Sequence, residues 1–389
     1  MPSMIDRIKL AGINNAKYSL VFALLFLVVA TAGVHKLKFT TDYRYFFGED
    51  NPERLDFNEF QSRFGKTDNI FIVVKPIGKQ IFNARTLEVI DTISTAGWNI
   101  PYANRVDSIT NFTMVRSEND EIESIRLADL YDLSSDEGIN RAKLEITKQD
   151  ELKDILYTAD LSHAAVNINV YLPDVSVEKA QIEAVSHVRE LLSVWRKQFP
   201  DHEFYLSGQL IMAYGFFEAA FNDSLTLIPL MYFIMIVILW VLLRSFYAML
   251  VTLIVVFCSA AAGIGLASWL GITLSTMSAS APLIILTVAV ADCVHIIIST
   301  NHASDAEQER ESKAGSITRS LELNFTPVLI TTVTTVIGFL SLNFNEMPPA
   351  RDLGNIVALG VVCAFIFSLQ YYFGYSRSPN LRRTRYPDQ

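Results

Sequence analysis

Charge is scarce in this chain. Asp, Glu, Lys and Arg together make up 19% of its residues, against about a quarter in soluble domains. Hydrophobic residues make up 51%. That balance excludes a disordered or fibrous chain and argues against an ordinary soluble enzyme. A basic excess is missing too. The net charge is −9, which argues against a general nucleic-acid binder. Cysteine is rare, and Cys258, Cys293 and Cys363 all lie in apolar runs at no metal-ligand spacing. Neither a disulfide framework nor a zinc site is expected. There is no glycine-rich nucleotide loop and no nucleophile motif, so the chain offers no catalytic residue and no cofactor is expected.

The hydrophobicity is concentrated instead. One apolar run covers Tyr18 to Val34, and a long polar region follows it. Further runs then come close together at Leu225–Leu243, Tyr247–Leu270, Ala279–Thr300, Pro327–Phe344 and Leu353–Tyr372. A bilayer core of about 30 Å needs about 20 apolar residues in a helix. The runs therefore predict six transmembrane spans, one before the polar region and five after it.

Orientation follows from Lys and Arg in the short loops. Arg7, Lys9, Lys17, Arg244, Arg310, Lys313, Arg319, Arg377, Arg382, Arg383 and Arg385 fall on one side, and Arg351 alone on the other. Both termini are expected in the cytoplasm and the polar region outside. Ala30-Thr31-Ala32 also resembles a signal-peptidase site. The apolar run continues to Val34, which favours an uncleaved span, and the polar region is outside on either reading. The expected organisation is residues 1–34 for the N-terminus and first span, 35–222 for the outside domain, 223–374 for the other five spans, and 375–389 for a basic cytoplasmic tail.

Residues 35–222 hold the chain's acidity. Their periodicity predicts mixed α/β structure. NIFIVVK at Asn69–Lys75 reads as a buried strand, Ala84–Ala96 as a helix and VNINVY at Val166–Tyr171 as an alternating strand. Val177–Phe199 reads as an amphipathic helix stopped by Pro200, and Glu203–Leu206 as a strand followed by a turn at Ser207-Gly208. Residues 210–222 look helical and run into the second span. The order suggests a split βαβ sandwich. His163, His187 and His202 are scattered and read as surface residues. Asp42, Glu49, Asp50 and Glu53 read as a solvated loop ahead of a cation or substrate entrance.

Asp292 stands apart. It lies deep in the fourth span, within LIILTVAVADCVHIII, where an aspartate costs about 2.5–3.5 kcal/mol on insertion scales. Such residues usually face the bundle interior and mark proton or ion pathways. A carboxylate kept from water can exchange a proton, as a proton carrier must. The alternative is a structural hydrogen bond between two helices, and the position favours the proton role. His295 at i+3 and Ser299 at i+7 share the face of Asp292. His295 suits relay and structure equally, and Ser299 reads first as a helix hydroxyl.

In the third span, Ser259, Gly263 and Ala267 recur at i+4 as a small-residue packing face. The fifth span carries Thr331, Thr332, Thr334 and Thr335. Such threonines usually bond back to their own helix, although Thr331 and Thr335, one turn apart, can also reach across to the fourth span. SDAEQERESKAGSITRSLEL at Ser304–Leu323 reads as a surface helix between the fourth and fifth spans.

One helix, a large outside domain and five more helices resemble the half-repeat of the resistance–nodulation–division (RND) superfamily. FTTDYRYFFGEDNP resembles the start of the outside domain in its predicted-exporter branch, which is akin to the mycobacterial-membrane-protein-large (MMPL) family. STMSASAPLIILTVAVADCVHII resembles the fourth helix of that half-repeat and places Asp292 on the family's proton-relay carboxylate. NFTPVLITTVTTVIGFLSL resembles the fifth. The resemblance implies a six-helix RND-type half bundle with an extracytoplasmic, porter-like α/β domain between the first two helices. It implies a proton-driven exporter of lipid-like or amphipathic molecules in the bacterial inner membrane, with lipids and an amphipathic substrate as its contacts. Family members usually carry two such halves, and QYYFGYSRSPNLRRTRYPDQ departs from the usual exit of the sixth helix. The expected unit is therefore an assembly with a second six-helix half, either another copy or a separate chain. A non-transporting lipid- or partner-binding protein of the sterol-sensing type and an inactive truncated half are the competing readings.

Overall fold

The computed structural model describes residues 16–64, 68–118, 121–173, 177–306 and 313–375. In chain order its helices are α1 (Ala16–Ala32), α2 (Pro52–Phe64), α3 (Ala84–Gly97), α4 (Asp136–Thr147), α5 (Val177–Gln198), α6 (Gln209–Leu243), α7 (Phe246–Trp269), α8 (Ala281–Ala306), α9 (Lys313–Leu340) and α10 (Pro348–Tyr375). The strands are β1 (Phe39–Thr40), β2 (Asp68–Pro76), β3 (Ala103–Asp107), β4 (Thr113–Glu118), β5 (Glu121–Arg126), β6 (Ala164–Val170), β7 (His202–Ser207) and β8 (Leu274–Ser275). Asp50–Glu218 forms one compact unit, and the spans belong to the other.

The α/β unit is built on one antiparallel sheet in the order β3-β6-β2-β7. With α3 between β2 and β3, and α5 between β6 and β7, this is the split βαβ arrangement. Alternation along β2 explains how the sheet is covered. Ile70, Ile72 and Val74 are fully buried against Leu87, Ile90 and Ile93 of α3 and Val185, Val188 and Leu192 of α5. Burying each such side chain contributes about 1.5–3 kcal/mol. Phe71 and Val73 point to the other face and stay half-buried. Asn83 caps α3, its side-chain oxygen accepting from the Thr86 N–H at 2.9 Å. Gly208 ends β7 at φ +109°, where an added Cβ would lie 2.5 Å from the Asn69 carbonyl oxygen. Only glycine fits that turn. The hairpin β4–β5 forms a separate sheet.

The structure corrects one surface reading in this unit. His202 is 6% exposed. Its Nε2 lies 3.0 Å from the Thr86 hydroxyl, and its Nδ1 lies 3.1 Å from Asp201 Oδ1 without the alignment of a hydrogen bond. The row hydroxyl–imidazole–carboxylate copies a hydrolase triad in outline, but Thr86 is 1% exposed and no substrate reaches it. It ties the start of α3 to β7. His202→Ala should leave that hydroxyl short of an acceptor and lower the unit's stability by about 1–3 kcal/mol, read as a lower denaturation midpoint by circular dichroism. Of the acidic segment, Glu49, Asp50 and Glu53 are exposed as a solvated loop requires, and its first members belong to the other unit. Asp42 accepts from the Arg44 N–H at 2.9 Å and pairs with its side chain, and Glu53 lies in the first turn of α2. A carboxylate there favours the helix dipole.

Among the described residues, six helical segments are long and apolar enough to cross a membrane: Tyr18–Lys36, Gln209–Leu243, Phe246–Trp269, Ser278–Ile298, Phe325–Phe344 and Pro348–Gln370. At 1.5 Å per residue the 35 residues of α6 run about 52 Å, well past a hydrocarbon core of about 30 Å. The expected surface helix over Ser304–Leu323 is not a separate element among the described residues. α8 runs on to Ala306 and α9 begins at Lys313, so both ends extend spans. Pro327 consequently lies inside α9. The basic positions Arg7, Lys9, Arg310, Arg377, Arg382, Arg383 and Arg385 lie outside the described residues.

Candidate functional site in the helical bundle

α8 is packed on several sides. Leu286, Ala289, Cys293 and Ile297 are at most 3% exposed and join a cluster with residues of α1, α6, α7 and α10. Ile285 belongs to a second cluster with Ala260 and Ala267 of α7 and Val357 and Val361 of α10. Asp292 stands two turns beyond Ile285 and beside Cys293. It is 2% exposed, and its Oδ2 has no hydrogen-bond partner among the described residues.

The other predicted relay members separate. His295 is exposed. Three residues set it about 60° round the helix from Asp292, at the edge of the packed face. Ser299 follows in α8, and its side chain lies outside the described residues.

α9 supplies a different threonine from those expected. Thr331 is exposed and donates to the Pro327 carbonyl at 3.0 Å, and Thr334 donates to Ile330 at 2.9 Å. Thr335 is half-buried. The packed face carries Phe325, Val328 and Thr332 at i, i+3 and i+7, with exposures of 7%, 4% and 4%. The Thr332 hydroxyl has no partner among the described residues. α9 packs on α8 and α10. Among the described residues the helical bundle therefore holds two buried polar groups without partners, Asp292 on α8 and Thr332 on α9. A buried unsatisfied polar group costs about 1–3 kcal/mol, and such groups need a reason.

The small-residue face of α7 is buried, and this chain's own helices fill it. Ser259 donates back to Val255 at 2.7 Å, and Ala267 is 2% exposed. A Cβ on Gly263 would lie 2.6 Å from the Cα of Gly360 in α10. On another side, a Cβ on Gly265 would lie 2.1 Å from the Ala30 carbonyl oxygen of α1. Trp269 closes the α1–α7 contact, donating from Nε1 to the Val29 carbonyl at 3.0 Å beneath the Lys36 ammonium, 4.2 Å from its ring centre.

The segment after α1 is strapped to the bundle. β1 pairs in parallel with β8, and the Tyr45 hydroxyl donates to Asp352 Oδ2 at 2.5 Å. Burial, and then this bond, push the Tyr45 hydroxyl up from 10.0 to about 12. A raised value favours the neutral form. Its stabilisation is complete below pH 10 and is lost as pH rises through about 12. Tyr45→Phe should lower the melting temperature at pH 8 and flatten its fall over that alkaline window. An unchanged alkaline profile would contradict the strap.

Among the described residues no group of three or more His, Cys, Asp and Glu gathers as a metal site. The chain matches the MMPL family over residues 54–371 and belongs to it. It is a half-repeat of RND type and a multi-pass membrane protein of a transporter family. Among curated proteins none matches it.

Proposed function

We propose that the chain is half of a proton-driven exporter of lipid-like or amphipathic molecules, with Asp292 as its intramembrane proton carrier. One observation carries the reading: the Asp292 carboxyl is 2% exposed in an apolar bundle and its Oδ2 is unpaired among the described residues. An unpaired ionised carboxylate there costs several kcal/mol. Gaining or losing a proton then changes the energy of the bundle enough to bias two helix arrangements. In this reading Thr332, a buried hydroxyl on the helix packed against α8, serves that carboxyl in one arrangement. A transporter, not an enzyme, is the activity proposed.

The proposal places the α/β unit outside and both termini in the cytoplasm of a bacterial inner membrane, on the Lys and Arg asymmetry of the loops. A cysteine introduced at the exposed Glu190 of a cysteine-free variant should react only from outside in right-side-out vesicles. Reaction only from the cytoplasmic side would sink that topology.

A second six-helix half completes the unit. His295, Thr331 and Thr334 are exposed on α8 and α9, and polar side chains toward lipid are costly. Mass measurement in native-like lipid should find at least a pair of halves, whereas a transport-competent monomer of 43.7 kDa would refute it. For the transport itself, vesicles holding the assembly should export an amphipathic lipid analogue when a pH gradient is imposed. Equal export with the gradient collapsed would overturn the proton-driven reading.

A further inference from the structure

The ends of α1 and α7 that the proposed topology turns outward meet at Trp269. Its indole lies against the chain because residue 33 is glycine. A Cβ there would lie 2.4 Å from Cδ1 of the ring and 2.1 Å from the Gly265 carbonyl oxygen. The indole Nε1 is spent on the Val29 carbonyl, and the His35 ring stands edge-on to it with centres 5.8 Å apart. The Lys36 ammonium lies over the indole. A cation held on an aromatic face keeps its remaining donors for an anion. Lys38 follows two residues on, its backbone fixed where its carbonyl accepts from the Leu274 N–H at 2.8 Å.

Both lysines are exposed, and neither has a carboxylate partner among the described residues. Asp42, the nearest acid in sequence, pairs with Arg44. At an outward-facing span end, lysine works against insertion, so these two call for another role. The surface beneath them is apolar. Val29, whose carbonyl takes the indole bond, and Leu25 one turn deeper are exposed, as is Leu270 beside Trp269. Two uncommitted ammonium groups and an interfacial tryptophan above an apolar strip complement a molecule with an anionic head and acyl chains. A free phosphate would leave that strip unused.

We propose that this corner of α1 and α7 binds an anionic phospholipid, its phosphate at Lys36 and Lys38 and a chain along Val29 and Leu25. The site stands on the rim of the bundle and does not depend on the role of Asp292. The net charge of −9 opposes anionic lipid in general, so a preference for one marks a local site.

Native mass spectrometry of the full chain in neutral detergent, titrated with phosphatidylglycerol or with phosphatidylcholine of the same chains, reads the first bound lipid. Both lipids carry the phosphate, but phosphatidylcholine compensates it with its own ammonium. The wild type should take phosphatidylglycerol about tenfold more tightly. Lys36→Gln with Lys38→Gln should remove that preference, and Lys36→Arg with Lys38→Arg should keep it. Lys79→Gln with Lys197→Gln, the same loss of charge at exposed lysines of the α/β unit, should also keep it. Asp292→Asn should bind like the wild type, so failure of this site and failure of the transport reading are told apart. Displacement of the lipid by millimolar inorganic phosphate would show a site for the free anion and overturn the lipid assignment. No preference in the wild type, or equal loss in both pairs of glutamine variants, would overturn the proposal.

Discussion

Asp292→Asn is expected to abolish proton-coupled export while the protein still folds. Asn nearly matches Asp in shape and cannot carry a proton. The buried environment that makes the carboxylate expensive is relieved by the neutral amide, so the melting temperature should hold or rise. The functional loss is large by comparison. One proton crossing 100 mV supplies about 2.3 kcal/mol, equivalent to about a fiftyfold concentration gradient, and the variant should sustain none of it. Thr332→Val sharpens the test. It deletes a buried hydroxyl that has no partner among the described residues, so it should be neutral or stabilising by about 1 kcal/mol. If the hydroxyl serves Asp292, export should fall even as stability holds. Undiminished export would make Thr332 a packing residue.

The largest structural effect is expected from Gly263→Leu. At this position the obstacle is backbone: a Cβ would lie 2.6 Å from the Gly360 Cα and 3.0 Å from its nitrogen. No side-chain rotation relieves that contact. α7 and α10 would have to move apart, breaking the cluster that includes Ala260, Ile285 and Val361. Overpacking costs about 1–3 kcal/mol even where neighbours adjust, and here they cannot. The variant should express poorly or melt far below the wild type in detergent. Gly215→Ala, with nothing within 4 Å of its added Cβ, is the matched control and should gain slightly in helix propensity. Wild-type melting of Gly263→Leu would show that α7 and α10 do not pack at these glycines.

These effects divide along the line between what a sequence carries locally and what only the fold supplies. Hydrophobic runs and a charge buried within one are local, so the spans and Asp292 were legible. The strands Asn69–Lys75 and Val166–Tyr171 announced themselves by composition and alternation, and their burial follows. The threonines of α9 were not resolved this way. In TTVTT the hydroxyls spread over nearly half of the helix circumference, and only the spacing from Phe325 and Val328 points to Thr332. The partner of Gly263 was hidden for another reason: Gly360 is far away in sequence, so the small-residue pattern could not name α10 as the helix that fills it. His202 follows Asp201 in a polar stretch and read as surface. Its burial comes from the docking of α3 beside β7. The contact of Lys36 with Trp269 joins two spans far apart in sequence, which no periodicity records.

The central claim is that the buried carboxyl of Asp292 gains and loses a proton as the transporter works. Infrared difference spectroscopy of the assembled protein in lipid, recorded across a pH step, observes that proton directly. The account predicts a protonated-carboxyl C=O band that appears on acidification, shifts when an amphipathic substrate is added, and is missing in Asp292→Asn. A spectrum without such a band, or one that Asp292→Asn leaves unchanged, would contradict it.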